Sequence, residues 1–422
     1  MAACLAARGV TVIGVDNNPA KVKELAAGQP PVHEPGLGEL LQRSGGRLTA
    51  TEDVAAAVHS SDITFIVVAT PSEPGGGFSL KYVAPVCEAI GHALADKSDY
   101  HVVCLTSTVM PGTTGSAVRQ ALEKASGKRM GTDFGLCYSP EFIALGSVIR
   151  DFLNPDMLLI GESDKRAGDF LAGLYAQVCE NKPAYARMSF VNAEITKLAV
   201  NTYVTTKISY ANMLARICEK LDGANVDVIT AALGFDTRIG PKYLKGAVSY
   251  GGPCFPRDNL ALACLAQQLG VPGDLARTVD RFNRSQIHWL ADLVQRRTRG
   301  TVGILGLTYK AGTDVVEEAA GYLLMNELAD RGMKVVAFDP GYAKNGLASS
   351  NVSFAASAQD CIAHSDLVVL ATAWPEFSQI PAQHWVRNSP PRTVIDCWRA
   401  VKFLHDTPGV HYLGLGIGEG FS

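Results

Sequence analysis

The chain has 422 residues, 47% of them apolar and 19% charged. That is core enough for two or three domains, and it excludes a disordered chain, which needs low hydrophobicity and a large net charge. Thirty-eight basic residues against 41 acidic ones leave −3 with no basic stripe, so nucleic acid is not an expected partner. No apolar run reaches the length of a membrane span, and the opening MAACLAARG lacks the basic region of a signal peptide. The ten cysteines never form CxxC, and no histidines sit beside them at metal-ligand spacing. The expectation is therefore no metal, and thiols mostly buried in a reducing cytoplasm.

In chain order, residues 1–8 read as the end of a helix, with Gly9 following it as the cap. Apolar runs follow at 10–16, 62–70, 100–108, 134–140 and 156–161, separated by amphipathic stretches such as 80–97 and 113–125. Strands alternating with helices predict a parallel, doubly wound α/β sheet. One long helix covers about 189–222 and ends at Gly223, with more helix at 226–234, 258–269 and 274–298. A glycine-rich loop, KGAVSYGGPC at 245–254, interrupts that region. Alternation resumes with strands at 300–307, 333–340, 365–375 and 393–398 and a helix at 317–332. The reading is two Rossmann-like α/β domains, 1–188 and 299–422, joined by an all-helical domain at 189–298.

Asp16 closes the run VTVIGVD. An acid at the end of the second strand of a dinucleotide fold accepts the adenosine ribose hydroxyls; a solvated turn before Asn17-Asn18-Pro19 explains it equally well. The glycine fingerprint belongs roughly 20 residues upstream of such an acid, which falls before Met1. The first strand and its phosphate loop are therefore expected to be missing from this chain, with Met1 an internal methionine of a longer reading frame. Thr70-Pro71 and Ser107-Thr108 end neighbouring runs, where open α/β sheets bind ligands.

The sharpest feature is Gly251-Gly252-Pro253-Cys254-Phe255-Pro256-Arg257-Asp258. Glycines let a substrate approach the backbone, and a following helix start with a flanking Arg favours a thiolate. A turn holding a chance Cys is the competing account. Lys197 and Asn201 are four apart on the long helix and share a face. They interrupt the apolar run ITKLAVNTYV, where a Lys stabilises an oxyanion or acts as a base. On spacing alone, a solvent-exposed stripe explains them slightly better. Glu141, in SPEF, is a third candidate.

Taken together these segments resemble the UDP-glucose/GDP-mannose dehydrogenases. The resemblance runs in order through the Asp16 turn, HEPGL (33–37), Thr70-Pro71 with FSLKYV (78–83), STVMPGTT (107–114), SPEF (139–142), AEITKLAVN (193–201), TRIG (237–240), YGGPCFPRD (250–258), GLTYKAGTD (306–314) and ATAWPEF (371–377). The family implies a four-electron oxidation of a sugar C6 alcohol to the carboxylate, with two NAD+ reduced. By resemblance Cys254 is the nucleophile, Lys197 holds the oxyanion, and Thr108, Asn201 and Asp258 position water and polar intermediates. Glu141 serves hydrolysis. Asp16, Lys21, Thr70, Pro71, Thr108 and Arg257 fall to the cofactor. Glu141, Phe142, Ile143, Lys197, Asn201, Tyr243, Leu244, Gly246, Tyr250, Gly251 and Lys310 fall to the nucleotide sugar. A homodimer through the long helix is also implied.

Several positions depart from the family pattern. Leu145 stands where a second Glu is common, Arg257 where a Lys is usual, and Glu317 where an Arg is common. The late Asp-Gly-Arg-Asn pattern reads Asp396-Cys397-Trp398-Arg399. UDP-glucose is the default substrate by family, with GDP-mannose and UDP-N-acetylhexosamines as alternatives. Two other classes compete: a two-electron hydroxyacid dehydrogenase, and a nucleotide-sugar binder without redox activity.

Overall fold

The computed structural model describes residues 1–342 and 350–418. Contacts group the chain into two compact units: Met1–Ala199 with Cys264–Gly270, and Val200–Ala263 with Val271 onward. The division falls inside the 29-residue helix Phe190–Cys218.

In the first unit, β1 (Val12–Val15) and β2 (Leu48–Thr51) form a parallel pair. A five-stranded sheet takes β3 (Ile63–Ile66), β4 (His101–Leu105), β5 (Phe134–Tyr138), β6 (Met157–Glu162) and β7 (Ala184–Met188) in sequence order. Among the described residues, β1 and β3 are each paired along one edge only. Every residue of β4 and β5 is buried, which is why those runs read as continuously apolar rather than alternating. The helix Ala2–Ala7 precedes β1, and Gly9 follows it at φ +94°, a conformation that costs glycine little.

Two features of this unit differ from the sequence expectation. The sheet is not wholly parallel: β6 pairs antiparallel with β5 at Cys137–Glu162 and Tyr138–Gly161. The connection between them, residues 139–156, holds one short helix, Val148–Leu153. The strands also stop early. Thr70 lies four residues past β3, and Thr108 three past β4.

In the second unit, β8 (Val302–Leu305), β9 (Val335–Phe338), β10 (Val352–Phe354), β11 (Leu367–Leu370), β12 (Arg392–Asp396) and β13 (Val410–Gly414) form one parallel sheet. Its order is β10-β9-β8-β11-β12-β13, the doubly wound arrangement whose direction reverses between β8 and β11 and whose ligands sit beyond the strand ends there. Asp339, just past β9, holds that end together. Its Oδ2 accepts from the backbone N–H groups of Leu307 and Thr308, from Thr308 Oγ1 and from Trp374 Nε1, at 2.6–3.1 Å, and its Oδ1 accepts from Gly341 N–H. The cysteine-bearing helix Phe255–Gln268 and the helix Asp274–Arg297 complete the helical part.

Replacing Asp339 by Ala strands these buried donors. We expect a loss of about 3 kcal/mol in urea unfolding, with a change in Trp374 fluorescence.

Candidate active site

In the first unit the carboxyl ends of β1, β3 and β4 carry the expected polar groups. Asp16 is half-buried just past β1; its Oδ1 accepts from Asn18 N–H at 2.8 Å, and Lys21 Nζ stands 3.9 Å from Oδ2. Asn18 caps the helix Pro19–Ala26, whose first residue is proline, a favourable pair at a helix start. Thr70 is buried and donates to the Thr108 carbonyl at 2.7 Å, so the segments after β3 and β4 are tied together. Pro71 is exposed, and its carbonyl accepts from Ser79 N–H.

The Glu141 loop is pinned from both sides. Glu34, of HEPGL, accepts from Gly146 N–H (3.0 Å) and Val148 N–H (2.8 Å). From the long helix, Lys197 Nζ donates to the Glu141 carbonyl at 2.5 Å and lies 4.5 Å from the Phe142 ring centre. Lys197 is only 8% exposed, so it is no solvent stripe. Glu141 Oε1 is buried with no hydrogen-bond partner among the described residues. Burial pushes the Glu141 carboxyl up from its usual value, against the pull of the amino terminus and Lys197. Ile143 packs in the core of β4, β5 and β6, and Phe142 against the core on the other face.

Sequence reasoning missed Glu194. It is fully buried, and its two oxygens accept from Gly112 N–H (2.6 Å) and Thr114 N–H (2.7 Å). It therefore fixes the turn after Thr108 and the start of the helix Thr114–Ser126, whose first turn is a π-helix. An acid inside the apolar face of a long helix was the available signal.

In the second unit Cys254 immediately precedes the helix Phe255–Gln268, which starts three residues earlier than expected. Asp258 therefore lies in the first turn, and its N–H bonds to the Cys254 carbonyl at 2.9 Å. The Asp258 side chain is 1% exposed; its Oδ2 accepts from Asn201 Nδ2 at 2.6 Å, and Arg257 Nε is 3.8 Å from Oδ1. Asn201 is buried as well. Of the ten cysteines, eight are buried, Cys264 is half-buried, and Cys254 is exposed.

Around the thiol the backbone is crowded. A Cβ on Gly251 would stand 2.2 Å from the Glu318 carbonyl oxygen, and one on Gly246 would stand 2.5 Å from that of Ala211. Tyr243 is half-exposed at φ +62°, Leu244 is buried, and both Tyr243 and Tyr250 meet Phe255 edge-on. Lys310 is exposed beyond β8, at the reversal point of the sheet. Arg399 does not point to solvent. It is buried, forks onto Asp227 (2.8 and 2.9 Å) and also donates to the carbonyls of Gly246 and Leu415. Among the described residues, no cluster of His, Cys, Asp or Glu is arranged to hold a metal ion.

Comparison with known proteins agrees with this geometry. Three models of one family match: the UDP-glucose/GDP-mannose dehydrogenase NAD-binding domain (residues 1–179), central domain (191–285) and UDP-binding domain (303–403). The chain is 36% identical to UDP-glucose 6-dehydrogenase AglM of Haloferax volcanii, covering 95% of this chain and 94% of that one. It is 33% identical to GDP-mannose 6-dehydrogenase of Azotobacter vinelandii, over 90% of each. A UDP-glucose dehydrogenase structure from Pyrobaculum islandicum superposes with a TM-score of 0.88 at 33% identity, covering 99% of this chain and 94% of that one.

Two measurements test the site. Under native conditions a thiol reagent should modify Cys254 first, and Cys254→Ser should remove that fast phase. Because Glu141 holds its proton more tightly folded than unfolded, stability falls as pH rises from the unfolded value, about 4.3, through the folded one. Glu141→Gln removes that slope, so its stability relative to wild type should climb as pH rises above the unfolded value, about 4.3, in urea unfolding; a constant difference would contradict the assignment.

Proposed function

The chain belongs to the UDP-glucose/GDP-mannose dehydrogenase family, whose members are NAD-dependent nucleotide-sugar 6-dehydrogenases, and we propose that it oxidises UDP-glucose to UDP-glucuronate. One observation carries the chemistry: the only exposed thiol of ten precedes a helix start beside a buried Asn201–Asp258 pair. In this reading residues 1–188 take the cofactor, 189–298 carry the thiol loop and 299–422 take the nucleotide.

The residues suit the cofactor at its ribose end. Asp16 presents a half-buried carboxylate past β1, suited to a diol, with Lys21 beside it, and Thr70, Pro71 and Thr108 would line the strand ends. Arg257 adds positive charge. When bound, NAD+ would supply the hydride acceptor for each of two oxidations at C6. In the first oxidation the alcohol loses a hydride and its hydroxyl proton to give the aldehyde. Cys254 Sγ then adds to the aldehyde carbon, forming a C–S bond, and Lys197 steadies the oxyanion until it is protonated. The resulting thiohemiacetal loses a second hydride and a proton to become a thioester. Water adds and the C–S bond breaks, giving the carboxylate, the Cys254 thiol and one proton. Thr108, Asn201 and Asp258 orient that water. Glu141, with its raised pKa, accepts the released proton. Phe142, Ile143, Tyr243, Leu244, Gly246, Tyr250, Gly251 and Lys310 contact the nucleotide sugar.

GDP-mannose is the second reading, favoured by relatives of that specificity at nearly equal identity. We also assign a homodimer, on an apolar stripe of the long helix. Tyr203 is 64% exposed, and Tyr210 and Ile217 follow at seven-residue steps on the same side, with Leu221 exposed just past the helix. No helix among the described residues is long and apolar enough to cross a membrane, and a set of buried thiols suits a reducing cytoplasm.

The test is NADH formed per sugar consumed, with UDP-glucose, GDP-mannose and a UDP-N-acetylhexosamine in parallel. Two NADH per UDP-glucose are expected, and Cys254→Ser should stall turnover. Turnover of GDP-mannose alone corrects the substrate. One NADH per sugar, undiminished in Cys254→Ser, refutes the four-electron route and identifies a two-electron dehydrogenase.

A further inference from the structure

The loop from Lys245 to Cys254 contains no helix or strand, so its backbone polar groups need partners from elsewhere. Two buried asparagines supply four of them. Asn212, on the long helix and 1% exposed, accepts from Ala247 N–H and donates to the Val248 carbonyl, both at 2.8 Å. Asn283, on the helix Asp274–Arg297, accepts from Tyr250 N–H and donates to the Tyr250 carbonyl, both at 2.9 Å. Each amide thus does what a neighbouring strand does, offering one donor and one acceptor to an extended segment. Further ties are Arg399 Nη2 on the Gly246 carbonyl (2.7 Å) and the Glu317 carbonyl on Gly252 N–H (2.9 Å). The residue after Glu317, Glu318, sits at φ +53°, unusual outside glycine and common beside functional loops.

We propose that Asn212 and Asn283 are positioning residues: a pair of amide clamps that set the loop's path and thereby hold Cys254 at the start of the helix Phe255–Gln268. Both act through the backbone of residues 247–250. The role in turnover rests on the functional reading above, whereas the role in placing the thiol does not. Only a carboxamide fits. A carboxylate of the same size keeps the acceptor but has no donor, and an apolar residue of the same size has neither.

The test alkylates Cys254 with iodoacetamide in the full-length protein, at pH 7 and pH 10, for wild type, Asn212→Leu, Asn283→Leu and the two Asn→Asp variants. A thiol displaced from the helix start should react about tenfold more slowly at pH 7 and at an unchanged rate at pH 10. General loosening would instead raise both rates. The Asp variants should show a smaller change of the same sign, and they decide the matter should the Leu variants not fold. With the nucleotide sugar, kcat should fall at least tenfold while KM changes less. A folded variant of either kind with the wild-type alkylation rate at pH 7 overturns the proposal. If wild type is alkylated as expected but forms no NADH with any nucleotide sugar, the functional reading fails and the clamp stands.

Discussion

The bond from Asn201 Nδ2 to Asp258 Oδ2, 2.6 Å long and shut away from solvent, sets where the reactive segment begins. A carboxylate at 1% exposure loses its hydration and must be repaid by hydrogen bonds. Asn201 comes from the long helix and Asp258 from the first turn after Cys254. Satisfying the carboxylate therefore fixes the start of the second helix against the first, and the thiol follows. The same demand recurs wherever a loop matters. Glu194 answers Gly112 and Thr114, Glu34 answers Gly146 and Val148, Asp339 answers the segment after β8, and two asparagines answer the thiol loop. Each of these loops is tied to another segment by a polar side chain.

Much of this was legible before the structure. Long apolar runs such as those of β4 and β5 announced buried strands because every residue there is inside, and the alternation of strand and helix gave both α/β halves. The glycine pair before Cys254 reads in sequence as room for a substrate; at Gly251 the space beside the backbone is taken by the Glu318 carbonyl. What escaped the reading had weak local signals. β2 (LTAT), β7 (AYARM) and β10 (VSF) are short and only partly buried, so neither length nor hydrophobicity marks them. The antiparallel entry of β6 is a matter of pairing direction, which periodicity does not record. Spacing placed Lys197 and Asn201 on one helical face but could not say whether that face was wet or dry. Their partners, Glu141 and Asp258, lie 56 and 57 residues away. Asn212 and Asn283 look like ordinary surface amides in sequence, because the groups they satisfy are main-chain atoms, which every residue has.

The departures from the family pattern fall into different physical classes. Arg257 keeps its charge and stays beside Asp258, though a planar guanidinium is a different donor from an ammonium. Arg399 is absorbed into the scaffold, where its guanidinium is shared among Asp227 and two carbonyls. Glu317 contributes its backbone carbonyl to the loop while its side chain is exposed.

Arg399 also bears on how the protein is made. Its guanidinium joins Asp227, Gly246 and Leu415, segments separated by up to 188 positions along the chain. A ribosome releases the thiol loop long before it releases Leu415, and domains settle in the order they emerge. The path of the Gly246 turn is therefore completed only when the last strand has docked. A nascent chain, or one cut short before that strand, displays the cysteine without the anchorage that gives it its place. The thiol loop thus gains this anchor only after Leu415 has been made.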